Sequence, residues 1–167
     1  VDRARAALFG VAVGDALGAT TEFMTPAEVR DRYGVLREIV GGGWLKLLPG
    51  QVTDDTEMTL CVARGIVGSG RWSLGPIADR FAHWLSGNPA DVGTTCRRGI
   101  EEYLENGRLE APPDERGAGN GAAMRVAPVA LYTLGDEELL SRLAVEQARI
   151  THHHPLSDAA CVSVGTM

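Results

Sequence analysis

The chain has few aromatic residues, which make up 5% of its 167 positions. It has only three cysteines, Cys61, Cys96 and Cys161, an odd number without Cys-x-x-Cys spacing. That argues against a disulfide framework. Each thiol sits in an apolar or helical context, so buried, reduced cysteines in a reducing compartment are expected. A basic stripe is also missing. The net charge is −6 and Arg97-Arg98 is too short to make one, which argues against a nucleic-acid surface. No apolar run approaches the ~18 residues of a membrane span. The start Val1-Asp2-Arg3-Ala4-Arg5 leads into a segment broken by Gly10, Gly14 and Asp15, unlike a signal peptide. A cytoplasmic protein is expected. No stretch alternates as a strand should, and there is no repeat or low-complexity linker. With 44% hydrophobic and 23% charged residues, a single domain over residues 1–167 can bury a sizeable core.

What is present is helical periodicity. Ala4, Ala7, Leu8, Val11 and Leu17 share one face of a helix over 2–17, and Gly10, Gly14 and Gly18 form a small-residue stripe that predicts close approach of a second helix. Thr25-Pro26-Ala27-Glu28 reads as an N-cap, a proline at the first helical position and an acidic first turn, closed by Gly34. Residues 35–52 read as an irregular excursion. Further helices are predicted from about Asp54 to Val67, from Ser73 to Leu85, over 94–106, over 121–134 where Pro128 must kink or interrupt the segment, over 136–150, and from about Pro155. Arg108–Gly119, with Pro112-Pro113, reads as a surface loop. The fold class is all-α, a compact orthogonal multi-helix bundle.

The run Val52-Thr53-Asp54-Asp55-Thr56-Glu57-Met58 stands where a glycine- and proline-containing loop (Gly41-Gly42-Gly43, Pro49-Gly50) meets an apolar-periodic segment. Thr53 suits an N-cap, and acids suit a first turn. The same Thr53, Asp54 and Asp55 also form an all-oxygen cluster of the kind Mg²⁺ and Mn²⁺ prefer. Asp15, inside an apolar small-residue helix, must be hydrogen-bonded or paired if buried, and reads as support for other groups. Glu22 reads as a solvated helix-end carboxylate. Asp91, between Pro89 and Gly93, suits an Asx turn or an N-cap. Gly117-Ala118-Gly119-Asn120-Gly121 before a helix suits either a simple turn or a phosphate, because small residues expose backbone N–H groups at a positive helix end. It is not a Walker loop, since no Gly-Lys-Ser/Thr follows. His152-His153-His154 resembles a zinc set only superficially, since consecutive side chains diverge and no cysteine lies near them in sequence. Asp158 reads as an acid at a helix N-terminus.

In this order, Gly14–Phe23, Thr53-Asp54-Asp55, Asn88–Thr95, Gly117–Arg125 and Ile150-Thr151-His152 resemble the ADP-ribosylglycohydrolase family. The glycines before Trp44, Asp91-Val92-Gly93, Thr95–Ile100 and His152–Ala160 look most like the dinitrogenase reductase-activating members. The resemblance implies the all-α fold and hydrolysis of the N-glycosidic bond joining ADP-ribose to a protein arginine, with the nitrogenase iron protein as a target. It implies Thr53, Asp54 and Asp55 as ligands of Mg²⁺ or Mn²⁺, two ions in a complete member. It casts Glu22 as proton acceptor or water orienter, and Asp91 as a catalytic or ribose-contacting carboxylate. Gly117, Gly119, Asn120 and Gly121 become the diphosphate cradle, and the His152 imidazole a substrate contact. Family members carry a second metal motif, Asp-x-Asp-Thr, near their C-terminal end. None occurs here, so this sequence is expected to be the N-terminal part of the family's length, truncated on its C-terminal side. The alternatives are a non-catalytic module that binds ADP-ribose or a nucleotide, and another metal-assisted phosphohydrolase.

Overall fold

The computed structural model describes residues 1–167 and is all-α. Eight helices follow in order: α1 Asp2–Gly18, α2 Pro26–Tyr33, α3 Asp54–Ser69, α4 Leu74–Ser86, α5 Thr94–Asn106, α6 Ala127–Tyr132, α7 Glu137–Arg149 and α8 Pro155–Gly165. A 3₁₀ turn, Asn120–Ala122, precedes α6. The only β-type pairing is an isolated bridge between Gly42 and Leu47 in the excursion between α2 and α3.

Local chemistry explains most boundaries. Thr25 accepts the Glu28 N–H, and the Glu28 carboxylate accepts the Thr25 N–H in return, a full capping box with Pro26 at the first helical position. Gly70 and Gly107 end α3 and α5 in the left-handed conformation that glycine adopts without a Cβ clash. Asp136 caps α7 by accepting the Leu139 N–H. The helical stretch read over 121–134 is interrupted: a 3₁₀ turn ends at Ala122, and Pro128 sits in the first turn of the short α6, where its missing N–H costs nothing.

The core is a cluster of 19 buried apolar residues drawn from α3 to α8 and the 3₁₀ turn. Met58, Val62, Ile77, Phe81, Ile100, Val129, Leu143 and Ile150 are at its centre. Burying each such side chain contributes about 1.5–3 kcal/mol against conformational entropy. Two glycines set the spacing. A Cβ on Gly65 would lie 2.7 Å from Ile77 Cγ1, and one on Gly99 would lie 2.5 Å from Thr151 Cα. Thus α3 meets α4, and α5 meets the end of α7, at backbone distance. Helix α1 is different. Only its Ala16 is buried, and Phe9 and Val13 stand 71% and 52% exposed. No helix of residues 1–167 packs on the glycine stripe of α1, since a Cβ at Gly10, Gly14 or Gly18 would meet nothing within 4 Å. The loop over 108–119 is tied down at Ala111, whose N–H donates to the Arg149 carbonyl, and at Asp114, whose N–H donates to the His153 carbonyl.

Candidate functional site

The end of α1, the N-termini of α3 and α5, the 3₁₀ turn and His152 enclose a cleft of about 550 Å³. One wall is acidic. Thr53 caps α3 with extended backbone, and its Oγ1 accepts the Asp55 N–H. The capping is shared with α1. Asp15 Oδ2 accepts the Thr53 N–H at 2.9 Å and the Thr56 N–H at 3.1 Å. The Thr53 hydroxyl donates to Asp15 Oδ1 at 2.8 Å, and the Thr56 hydroxyl donates to Oδ2 at 2.5 Å. Asp15 therefore satisfies amides that a helix N-terminus leaves open, and it locks the α3 N-terminus to α1. This matches the supporting role read from the sequence.

Asp54, Asp55, Asp91 and Glu22 line the same cleft. Burial, then the Asp91 and Asp55 charges, push the Asp54 carboxyl up to about 7, with the Gly93 amide pulling the other way. Asp55 is raised by burial and by Asp15, and Asp91 by burial and by Glu22. Asp91 does not cap α5; Gly93 holds that position without a side-chain bond. Glu22 is exposed, and its Oε2 accepts the Trp44 Nε1–H at 2.7 Å. Trp44 in turn packs against Phe23, with ring centroids 5.6 Å apart. Nothing in the sequence pattern paired Trp44 with Glu22; it reaches the cleft from the irregular excursion.

A second part of the lining carries no acid. Gly119, Asn120, Gly121 and His152 form it, with Cys96 behind. Gly117 lies outside the cleft: a Cβ there would meet the Asp114 carbonyl oxygen at 3.1 Å, so this glycine serves the turn that Asp114 closes and not the cradle. The segment after the glycines is only the three-residue 3₁₀ turn, so no helix dipole backs it. Gly121 has a packing reason as well, since a Cβ would lie 2.7 Å from Cys96 Sγ and 3.0 Å from His152 Cε1.

His152 is 2% exposed. Burial, then the Arg125 and Arg98 charges, push its imidazole down to about 3, so it is neutral at physiological pH. Its Nδ1 lies 2.8 Å from Thr151 Oγ1. The other two histidines diverge. His153 Nδ1 lies 2.8 Å from the Ala111 carbonyl, and His154 Nδ1 accepts the Leu156 N–H as the α8 cap. Asp158 lies in the first turn of α8 and accepts two bonds from Arg149. The thiols are free and buried, and burial pushes Cys61 and Cys161 up to about 11, which keeps them protonated.

Sequence reasoning missed Arg125. It is fully buried, 4.4 Å from the Phe81 ring centroid, and it hydrogen-bonds to Gln147 and Thr151 but pairs with no carboxylate. As for a cation, Thr53, Asp54 and Asp55 supply hard oxygen donors where several carboxylates repel one another, and that suits Mg²⁺ or Mn²⁺. No three carboxylate, histidine or cysteine side chains converge there as a ready-made ligand group.

A family model described as ADP-ribosylglycohydrolase matches residues 1–167. The chain belongs to the ADP-ribosylglycohydrolase family. Within the family it is 55% identical over 166 residues to an ADP-ribosyl-[dinitrogen reductase] glycohydrolase of Rhodospirillum rubrum, a match covering 99% of this chain and 56% of that protein. An ADP-ribosylarginine hydrolase of Serratia proteamaculans is 34% identical over 175 residues, covering 99% of this chain and 46% of its own length. A solved structure titled ADP-ribosylglycohydrolase-related protein complex superposes with a TM-score of 0.83 at 35% identity, covering 99% of this chain and 54% of that one. The chain thus spans about half the length of these family members.

Proposed function

We propose that this cleft hydrolyses the N-glycosidic bond between ADP-ribose and a protein arginine, with dinitrogenase reductase as the target that the Rhodospirillum relative's name suggests. One observation carries the reading: a single cleft is lined both by a cluster of four carboxylates and by an acid-free, glycine-containing segment. The acid-free wall suits the diphosphate, with Gly119 leaving room for close approach and Asn120 and His152 offering polar contacts. The acidic wall suits the ribose and the scissile bond. Thr53, Asp54 and Asp55 would hold Mg²⁺ or Mn²⁺, which when bound polarises a water and neutralises the crowded carboxylates. Glu22 would orient the attacking water or accept its proton. Asp91 meets the ribose hydroxyls or steadies the charge that develops on the sugar as the bond to the arginine nitrogen breaks. The free, buried thiols support a reducing, cytoplasmic setting, and no helix is long and apolar enough to cross a membrane.

The experiment is product analysis on ADP-ribosylarginine with the full-length protein and saturating Mn²⁺. Release of free ADP-ribose and arginine is expected. Asp54→Ala is expected to abolish turnover and Mn²⁺ binding while leaving the helical circular dichroism intact. Undiminished Mn²⁺ binding in that variant removes the metal assignment. ADP-ribose binding without turnover makes the protein a binding module, and cleavage of simple phosphate esters instead makes it a phosphohydrolase.

A further inference from the structure

Arg125 is a buried cation with no anionic partner, and its contacts are directional. Nε donates to Gln147 Oε1 at 3.0 Å, and one terminal nitrogen donates to the Gln147 carbonyl at 3.1 Å and to Thr151 Oγ1 at 2.8 Å. The other terminal nitrogen meets only the weak acceptors Met58 Sδ and Cys96 Sγ, at 3.7 and 3.8 Å. A guanidinium only donates. Thr151 Oγ1 must therefore accept from Arg125, and the hydroxyl keeps one proton to place. Thr151 is 1% exposed. Its hydroxyl has one other polar neighbour within hydrogen-bond distance, His152 Nδ1 at 2.8 Å. If Nδ1 carried a hydrogen, the hydroxyl proton would be buried without an acceptor, at a cost of about 1–3 kcal/mol. The hydroxyl thus donates to Nδ1, and the ring hydrogen sits on Nε2. That nitrogen lies against two cleft-lining glycines, 3.5 Å from where a Cβ on Gly119 would be and 3.2 Å from one on Gly121.

We propose that Arg125 and Thr151 are positioning residues that fix His152 in its Nε2–H form, making it a permanent hydrogen-bond donor to an oxygen of the bound diphosphate; the identity of the ligand rests on the function proposed above. In this arrangement His152 neither takes nor gives a proton. It selects a lone-pair acceptor at that place in the cleft. The Arg125 charge behind it, unpaired and shielded from water, makes the acid-free wall attractive to an anion while keeping the imidazole neutral.

The relay is tested by nitrogen NMR of the full-length protein labelled with ¹⁵N-histidine, with ADP-ribose affinity measured by calorimetry. The wild type should show His152 as the Nε2–H tautomer, unchanged between about pH 5 and pH 8. Thr151→Val keeps the shape but removes the hydroxyl. It should release the tautomer preference and weaken ADP-ribose binding by about tenfold, and Thr151→Ser should restore both. An Nδ1–H tautomer in the wild type, or a Thr151→Val variant that keeps the wild-type tautomer, overturns the relay. The same is true of a Thr151→Val variant that loses the tautomer but binds ADP-ribose undiminished. If the wild type shows the Nε2–H signature but binds no ADP-ribose, the ligand assignment fails and the tautomer lock stands.

Discussion

The two walls of the cleft are built in opposite ways. The acidic wall is assembled from helix N-termini. Asp15 spends both oxygens capping α3, which leaves Asp54, Asp55, Asp91 and Glu22 to crowd one another with no cation nearby to relieve them. The other wall is assembled from packing. Gly121 exists to admit Cys96 and His152, and Arg125 sits behind with a full set of donors and no acid to receive them. One wall therefore has negative charge in excess, and the other has donors in excess. A ligand that is positive, or metal-loaded, at one end and a phosphate at the other satisfies both walls at once. Neither wall alone would choose it.

If the walls divide the labour in this way, mutations should separate turnover from binding. The largest effects belong to the acidic wall. Glu22→Gln and Asp91→Asn should each lower kcat for ADP-ribosylarginine hydrolysis by about 10²-fold or more, the usual range for a positioned acid–base group, and leave ADP-ribose affinity nearly unchanged. Asp91→Asn should also spare Mn²⁺ affinity. Steady-state kinetics with saturating Mn²⁺ checks this, and near-normal turnover removes the residue from the mechanism. The other wall should show the reverse. Gly119→Val would set a branched side chain over the His152 ring, and ADP-ribose affinity should fall by about tenfold, roughly 1.4 kcal/mol. Unchanged affinity by calorimetry reduces that glycine to a simple turn.

The gentlest test is pH, because the walls titrate with opposite sign. The folded-state value of Asp54 is raised to about 7 from an ordinary 3.8, so the native state binds the extra proton. Its contribution to stability is complete below about pH 4 and is lost as pH rises through 7. His152 is lowered to about 3 from 6.5, so its contribution is present above about pH 6.5 and is lost as pH falls towards 3. Between these limits the two slopes oppose each other. In metal-free protein, Asp54→Asn should make stability climb more steeply with pH, and His152→Gln should make it fall more steeply. Urea midpoints between about pH 4.5 and pH 7 check both, and slopes unchanged in both variants would mean that neither group is perturbed as described.

The helices were legible because their ends are local chemistry. Thr25-Pro26 with Glu28, Thr53 before two acids, and Asn106-Gly107 all signal within four residues, and the structure uses them as read. The clustering of Thr53–Asp55, Asp91, Gly119–Gly121 and His152 in one cleft followed the order of the motifs. What local pattern could not reveal depends on distant partners. Arg125 in Met124-Arg125-Val126 reads as an ordinary charged residue; its burial is set by Phe81, Gln147 and Thr151, which come from three other segments. The glycines mislead in both directions. Gly10, Gly14 and Gly18 suggested a close helix contact that no helix of residues 1–167 makes there, and Gly117 and Gly119 are two residues apart yet only the second lines the cleft.

All three tryptophans donate their indole N–H to a glutamate: Trp44 to Glu22, Trp72 to Glu146 and Trp84 to Glu57. Only the first pair lies in the cleft. The molecule therefore carries a built-in optical probe with two internal references. A cation or ligand that draws Glu22 away changes the surroundings of a single indole, and the change in emission during a titration reports events at the acidic wall without any label.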